Sequence, residues 1–472
     1  MKRAAPLLLI VLVAAEILLT MSAGTSAAVT PRLDGAAAAA APAAPTEAPS
    51  FFEALRPKAT SAPTPTPAPA TPTALPLGRP IREQSNAMVT ARPPQKIATA
   101  PATRLIPDSE LVNGPAAAAF NMAAFLAGRR GYITRYTENV RDRILTGEQI
   151  IDTVAYQFSV NPRLLLALLE WQGGWVDNPS PTGNNRTYPY GEINAQRPNL
   201  YLQVAWAAAR LNEGYYGWRL GTRDFAVLDA GGAIGLPQGI NAGTAGLMNF
   251  IAAVAGPKSW APAMAPDGFL ATYRRLFGDP AQYDTGAPVP AGSRQPKLRL
   301  PWAEDETWLL TGGPHATWGV GAPWGAVDFT TNSVSGCRAL PEWALAVADG
   351  TIARSRNGEV GLSLHTSGDE RIGWSVFYMH IYFQDRAEAG ARVRAGDRIG
   401  HPSCEGGLSI AAHVHMGRKL NGEWLPATSA IPYTLGDWTF SEDDAEYDGF
   451  AVNGPVVREA AESRNPEVNG IH

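Results

Sequence analysis

Ala411-Ala412-His413-Val414-His415-Met416-Gly417 decides how the C-terminal part of this 472-residue chain is read. In a strand, side chains two apart share a face, so His413 and His415 would stand side by side. Tyr378-Met379-His380 repeats the arrangement on a second strand. Further back, Trp374–Phe383, Val360–His365 and Ala344–Ile352 alternate or run apolar between glycines. With Ser409–Gly417 they predict a mainly antiparallel sheet of short strands. His315 follows Gly312-Gly313-Pro314, and Asp328 lies in Gly325-Ala326-Val327-Asp328-Phe329. Two histidines and an aspartate suffice as three ligands of a metal ion with an open fourth position. Six of the seven histidines fall within 315–415 and none precedes them. Of the rest, His365 reads as structural, His401 sits in a turn before Pro402, and His472 belongs to a polar tail expected to be disordered.

Composition narrows the class. Lys plus Arg is 39 and Asp plus Glu is 43, a net charge of −4 with no basic block, which argues against nucleic-acid binding. Two cysteines exclude a disulfide-dense scaffold and a zinc site of four thiolates. Lys2 and Arg3, an apolar run broken by Glu16, and the small residues 22–28 describe a secretory signal peptide over 1–28. An uncleaved anchor is the other reading, and only then would the chain touch a membrane. Both place the rest outside the cytoplasm, secreted or in the cell envelope. There a Cys337–Cys404 disulfide is expected, closing a loop of about 67 residues and contributing about 4 kcal/mol.

Fifteen prolines in 42–107 make 29–107 a disordered Pro/Ala-rich tether. From 108 to 283 the text is helical. Thr146-Gly147-Glu148-Gln149 reads as a capping box, Asn161-Pro162 as a cap with Pro at the first helical position, and Arg163–Trp171 as a buried helix. Trp171, Trp175, Tyr188, Tyr190, Tyr201, Trp206, Tyr215, Tyr216 and Trp218 crowd into 48 residues. They could stack on sugar rings or pack a core. A linker over 284–295, a β domain over 296–454 and a tail over 455–472 complete the division.

The His/Asp pattern over about 301–427 resembles the M23 family of zinc metallopeptidases, the LytM-type and lysostaphin-like peptidoglycan endopeptidases. The 13-residue spacing from His315 to Asp328 is similar to the beta-lytic branch, whereas most members place the first His four residues before the Asp, where this chain has Trp324. The resemblance implies Zn2+ on His315, Asp328 and His415. It implies His413 as general base, and His380 steadying an oxyanion or orienting the water. It implies peptidoglycan cross-links as substrate. Val160–Leu169 with Gln172-Gly173-Gly174-Trp175 resembles lysozyme-like lytic transglycosylases, but Gln172 stands where the catalytic Glu would be and Glu170 lies on the wrong face of the helix. That domain is therefore expected to be non-catalytic and glycan-binding, unless Glu170 or Glu192 serves. The expectation for the whole is a multidomain peptidase; the alternative is a catalytically inactive M23-like wall-binding or regulatory protein.

Overall fold

The computed structural model describes residues 94–229, 231–333 and 336–472; the signal segment and nearly all of the Pro-rich tether lie outside them. Thr146 Oγ1 accepts from Gln149 N while the Gln149 side chain accepts from Thr146 N, so the capping box opens helix α1, Gly147–Phe158. Asn161 caps α2, Pro162–Gly173, in which 164–169 are fully buried. Helix α3, Asn199–Arg219, is the longest of the region, and α4, Ala242–Val254, packs on it. The two backbones approach so closely that a Cβ on Gly246 would lie 2.7 Å from Leu211 O.

This region is not all-α. Thr137–Val140 and Arg143–Thr146 form a hairpin. Lys96–Thr99 pairs in parallel with Ala233–Gly235, which also pairs with Phe225–Val227. The folded body therefore begins before 108, inside the stretch assigned to the tether. Among the described residues no helix is long and apolar enough to cross a membrane.

The C-terminal part is built on a nine-stranded sheet. Its six main strands are β1 (Trp308–Ala316), β2 (Trp324–Thr330), β3 (Gly350–Arg356), β4 (Glu359–Ser363), β5 (Trp374–Met379) and β6 (Val414–Leu420). They are ordered β3-β4-β5-β6-β2-β1, each antiparallel to its neighbour. A four-stranded antiparallel sheet, Tyr433–Leu435, Trp438–Glu442, Gly449–Asn453 and Val456–Glu459, shares a core with it. Residues 455–472 are no tail. Gly470–Ile471 adds a strand beside β1, Ile471 is fully buried, and the His472 carbonyl accepts from Trp438 Nε1. Ala344–Ile352 is also not one strand: Ala344–Leu345 pairs elsewhere, and β3 starts at Gly350.

The two faces of the large sheet have different partners. Val327, Phe329, Val376, Tyr378, Val414 and Met416 enter the core shared with the small sheet. On the other face Phe377 and Met379, with Trp318 and Trp424 beside them, belong to the apolar core of the helical region. Polar contacts follow the same seam. Gln157 of α1 donates to Glu359 at 2.7 Å, and Arg356 pairs with Asp152. Tyr215 donates to Glu423 at 2.8 Å, Arg219 pairs with the same carboxylate, and Trp424 N donates to the Tyr216 hydroxyl. The hairpin tip adds Arg141 on the Gly406 carbonyl and Arg143 on the Asn357 side chain.

Buried Glu370 ties this face together, accepting from Arg354 Nε at 2.7 Å and Lys419 Nζ at 3.0 Å. Burial by itself would raise its carboxyl; the two cations outweigh it and hold the group far below the carboxylate range. A depressed folded value contributes stability that is fully present above the unfolded carboxylate pKa of about 4.3 and is lost as pH falls below it. Thermal unfolding measured between pH 7 and 2 should show this. Below about pH 4.3, Glu370→Gln is expected to flatten the slope of stability against pH by up to about 1.4 kcal/mol per unit, the share of one proton. An unchanged slope would mean that Glu370 is already protonated in the fold.

Candidate metal centre

Asp328 on β2 and His415 on β6 are direct partners in the antiparallel register, so their side chains leave the same face. His415 also pairs with Met379 of β5, and His380 follows immediately. β1 reaches the group only by breaking its ladder. Register irregularities flank Gly312 and His315 and turn the His315 ring toward Asp328. Gly312 is obligatory there, since a Cβ would lie 2.7 Å from Asp328 Oδ2.

Ligand atoms from His315, Asp328 and His415 all lie within 4.8 Å of one another. His315 Nε2 is 2.9 Å from His415 Nδ1, His415 Nδ1 is 3.0 Å from Asp328 Oδ1, and His315 Nε2 is 3.4 Å from that oxygen. The three residues are 2%, 8% and 4% exposed. His413 Nε2 stands 3.6 Å from Asp328 Oδ2, and the His380 and His413 rings are 4.4 Å apart. All five residues singled out from the sequence therefore meet at one place. The other histidines do not. His365 bonds Ser367, and His401 packs at a tilt against Trp343 with Nδ1 on the Glu342 carbonyl. Cys337 and Cys404 are disulfide-bonded.

The proton positions follow from carbonyls, which only accept. His315 Nδ1 faces Gly313 O at 2.8 Å, His415 Nε2 faces Thr317 O at 2.9 Å, His380 Nδ1 faces Glu405 O at 3.0 Å, and His413 Nδ1 faces Ala411 O at 2.8 Å. Each of those nitrogens carries the hydrogen. In the neutral ring the other nitrogen then presents a lone pair, and those of His315 and His415 are directed at each other and at Asp328. With both rings neutral, two lone pairs and a carboxylate converge within hydrogen-bond distance, and only a proton on His315 or a metal ion relieves them. A divalent cation resolves that repulsion, and carbonyl-anchored histidines are the usual support of a metal. Separations of 2.9–3.4 Å suit atoms sharing one ion at bond lengths of about 2.0–2.2 Å. One carboxylate with two imidazoles is a donor set suited to zinc.

Charge is arranged to match. Burial would raise the Asp328 carboxyl, but positive charge on the neighbouring imidazoles, His315 first, outweighs burial and holds it well below its ordinary value, and Asp328 in turn raises His315; the centre favours a cation, whether a proton or a metal ion. Burial pushes His380 well below the usual imidazole value, with His413 and His415 adding to the effect, so it is neutral.

Two contacts were not legible in the sequence. Tyr447 stacks on His315 with ring centroids 4.1 Å apart, in a left-handed backbone conformation (φ 75°), and Glu446 accepts from Ala316 N. They come from a loop of the small sheet some 30 residues after His415, with no spacing motif to mark them.

In the helical region Trp175, Tyr190, Trp206, Tyr215 and Tyr216 are buried, so most of the aromatic cluster is core. The Glu170 carboxylate accepts from Val176 N, Asp177 N and Arg275, and Glu192 pairs with Arg197. Both are engaged structurally.

A family model described as "LasA, N-terminal domain" matches residues 104–290, the helical region and the start of the linker. Solved structures similar to the chain include pseudoalterin, an M23 metalloprotease from the deep sea (23% identity, 35% of this chain and 95% of that one, TM-score 0.30). Lysostaphin's catalytic domain, an antimicrobial peptidase from Staphylococcus simulans, is similar at 23% identity over 26% of this chain and 88% of that one, TM-score 0.18. The catalytic domain of a prophage-encoded M23 protein from Enterococcus faecalis follows at 16% identity over 28% and 97%, TM-score 0.20. No curated protein matches the sequence.

Proposed function

We propose that the chain is an M23-type zinc metalloendopeptidase that hydrolyses peptide bonds of peptidoglycan outside the cytoplasm. The observation that carries this is the set of four histidines with carbonyl-fixed tautomers around one buried carboxylate. His315, Asp328 and His415 would hold the ion. Zinc, when bound, supplies a Lewis acid for the scissile carbonyl and lowers the pKa of water toward 7. His413 keeps its Nε2 lone pair on the centre, beside Asp328, and is the base that takes the proton from the attacking water. Neutral His380, with its proton committed to Glu405 O, can only accept at Nε2. On this reading it orients the water; a proton on Nε2 would be needed for it to steady an oxyanion.

The helical region covers the sheet face from which the centre projects, with Phe377 and Met379 in its core. An extended peptide lying along that face competes with α1 and α3 for it. Only the half-exposed rings of Trp171, Tyr188, Tyr201 and Trp218 remain as sugar contacts, and no glycan site is proposed.

The test is incubation of purified sacculi with the full chain, with and without a chelator, and mass analysis of the soluble products. New peptide amino termini that vanish with chelator and return with zinc are expected. Chelator-resistant cleavage, or anhydro-sugar ends, would remove the reading. Binding without products from the full chain or the chain opened along its seam would leave the wall-binding protein.

A further inference from the structure

We propose that the Cys337–Cys404 disulfide positions His380 and His413, the two imidazoles outside the ligand group; this deepens the peptidase reading above and rests on it. The tripeptide Ser403-Cys404-Glu405 grips His380 at both ends. Ser403 donates to the His380 carbonyl from its backbone N at 2.6 Å and from Oγ at 2.9 Å. The Glu405 carbonyl takes the ring proton. This grip matters because His380 has φ 66°, a left-handed conformation that a residue with a side chain keeps only when its surroundings hold it. It is also why β5 stops at Met379 and does not run on to Phe383.

The same loop fixes His413. Its Nδ1 proton goes to the Ala411 carbonyl, and Ser409 Oγ, 3.3 Å from that nitrogen, donates to Ala411 O at 2.7 Å. Ser409 Oγ also lies 3.4 Å from Cys404 Sγ. One segment, 403–411, thus sets the tautomers of both rings.

That segment has almost no core of its own. No residue from 404 to 411 is buried, and Leu408 and Ile410 are 39% and 70% exposed. Its attachments to the 336–337 turn are the disulfide and the Ala412 N to Gly336 O hydrogen bond, while Arg386 on the Glu405 carboxylate and Arg141 on the Gly406 carbonyl hold its other side. The ligand histidines are supported elsewhere, by the carbonyls of Gly313 in β1 and Thr317 just after it. Opening the disulfide should therefore loosen His380 and His413 and spare the ligand group.

The experiment uses the full chain, zinc-loaded, with 15N-labelled histidine rings, whose nitrogen shifts report the tautomer directly. In the unaltered protein His380 and His413 should each show one tautomer with the proton on Nδ1. With Cys337→Ser and Cys404→Ser together, those two rings should average between tautomers. His315 and His415, and one zinc per chain, should stay as they are. Turnover of a cross-linked wall peptide should fall about 10–100-fold, part of what a lost acid–base group costs, with KM changed less than about twofold. Ser409→Ala, which leaves the disulfide in place, should disturb His413 alone, and Ser403→Ala chiefly His380; these decide the matter should the double variant misfold. All four rings unchanged, or all four lost together with the zinc, would overturn the proposal. An unaltered protein that cleaves nothing would sink the peptidase reading, while the ring signals would still decide this one.

Discussion

Asp328→Ala is expected to abolish both zinc retention and hydrolysis. The carboxylate is the only anion among the three ligands, and it is 8% exposed with the imidazoles of His315, His413 and His415 around it. Without it, two neutral nitrogens face each other and nothing compensates the charge of a divalent ion in a buried site. The loss should exceed the roughly 10–100-fold that removal of an outer-shell partner costs. Zinc stoichiometry after dialysis and release of peptides from sacculi are the two readouts. A third is thermal. Zinc at about a thousand times its dissociation constant should stabilise the unaltered protein by about 4 kcal/mol, and the variant by nothing. Asp328→Asn keeps the shape and an oxygen donor, so it should fall between. A variant that holds zinc normally would place the ion elsewhere.

Arg219→Ala is expected to increase hydrolysis of sacculi. Arg219 pairs with Glu423 at 2.7 Å across the seam between α3 and the sheet, and burial already raises the Glu423 carboxyl. Removing the cation leaves Glu423 buried with the neutral Tyr215 hydroxyl as its side-chain hydrogen-bond donor. Arg219 is about a third exposed, so the cost is nearer 1–3 kcal/mol than that of a fully buried pair. If it falls on the closed arrangement, the fraction of molecules with the sheet face open rises about 5–150-fold. Initial rates on sacculi should follow, while a dipeptide too short to lie along the face should respond less. Unchanged or lower rates on sacculi would show that the helical region does not compete with substrate.

The His413-Val414-His415 stretch was legible from its period-2 spacing, although the strand itself starts at Val414, whereas no strand was read around Asp328, whose strand is buried on nearly every residue and carries no alternation. His315 was legible as a candidate ligand by residue type, but its spacing to Asp328 was interpretable only through the family resemblance, since β1 carries irregularities that no local pattern encodes. The capping box at Thr146 and the Pro162 start were readable from a few residues, whereas the parallel pairing of Lys96–Thr99 with Ala233–Gly235 joins segments far apart in sequence. Trp175, Tyr190 and Tyr215 looked like sugar platforms or core alike, because composition does not say which way a ring faces. The seam was hidden for the same reason. Gln157, Tyr216 and Glu423 are ordinary amphipathic residues until two regions are set against each other.

His315 and His415 lean on Gly313 and Thr317, whereas His380 and His413 lean on the 403–411 loop. These supports can drift independently over evolutionary time. If the chain is the peptidase proposed, a descendant that shortened the loop would still assemble its ion and keep its sheet, and would lose only turnover. The reverse loss, of the β1 irregularities around His315, would take the ion away and leave the histidine pair with nothing to serve. Descent from enzyme to binding protein is therefore the shorter path in this architecture, and it runs through a surface loop where insertions and deletions are tolerated best.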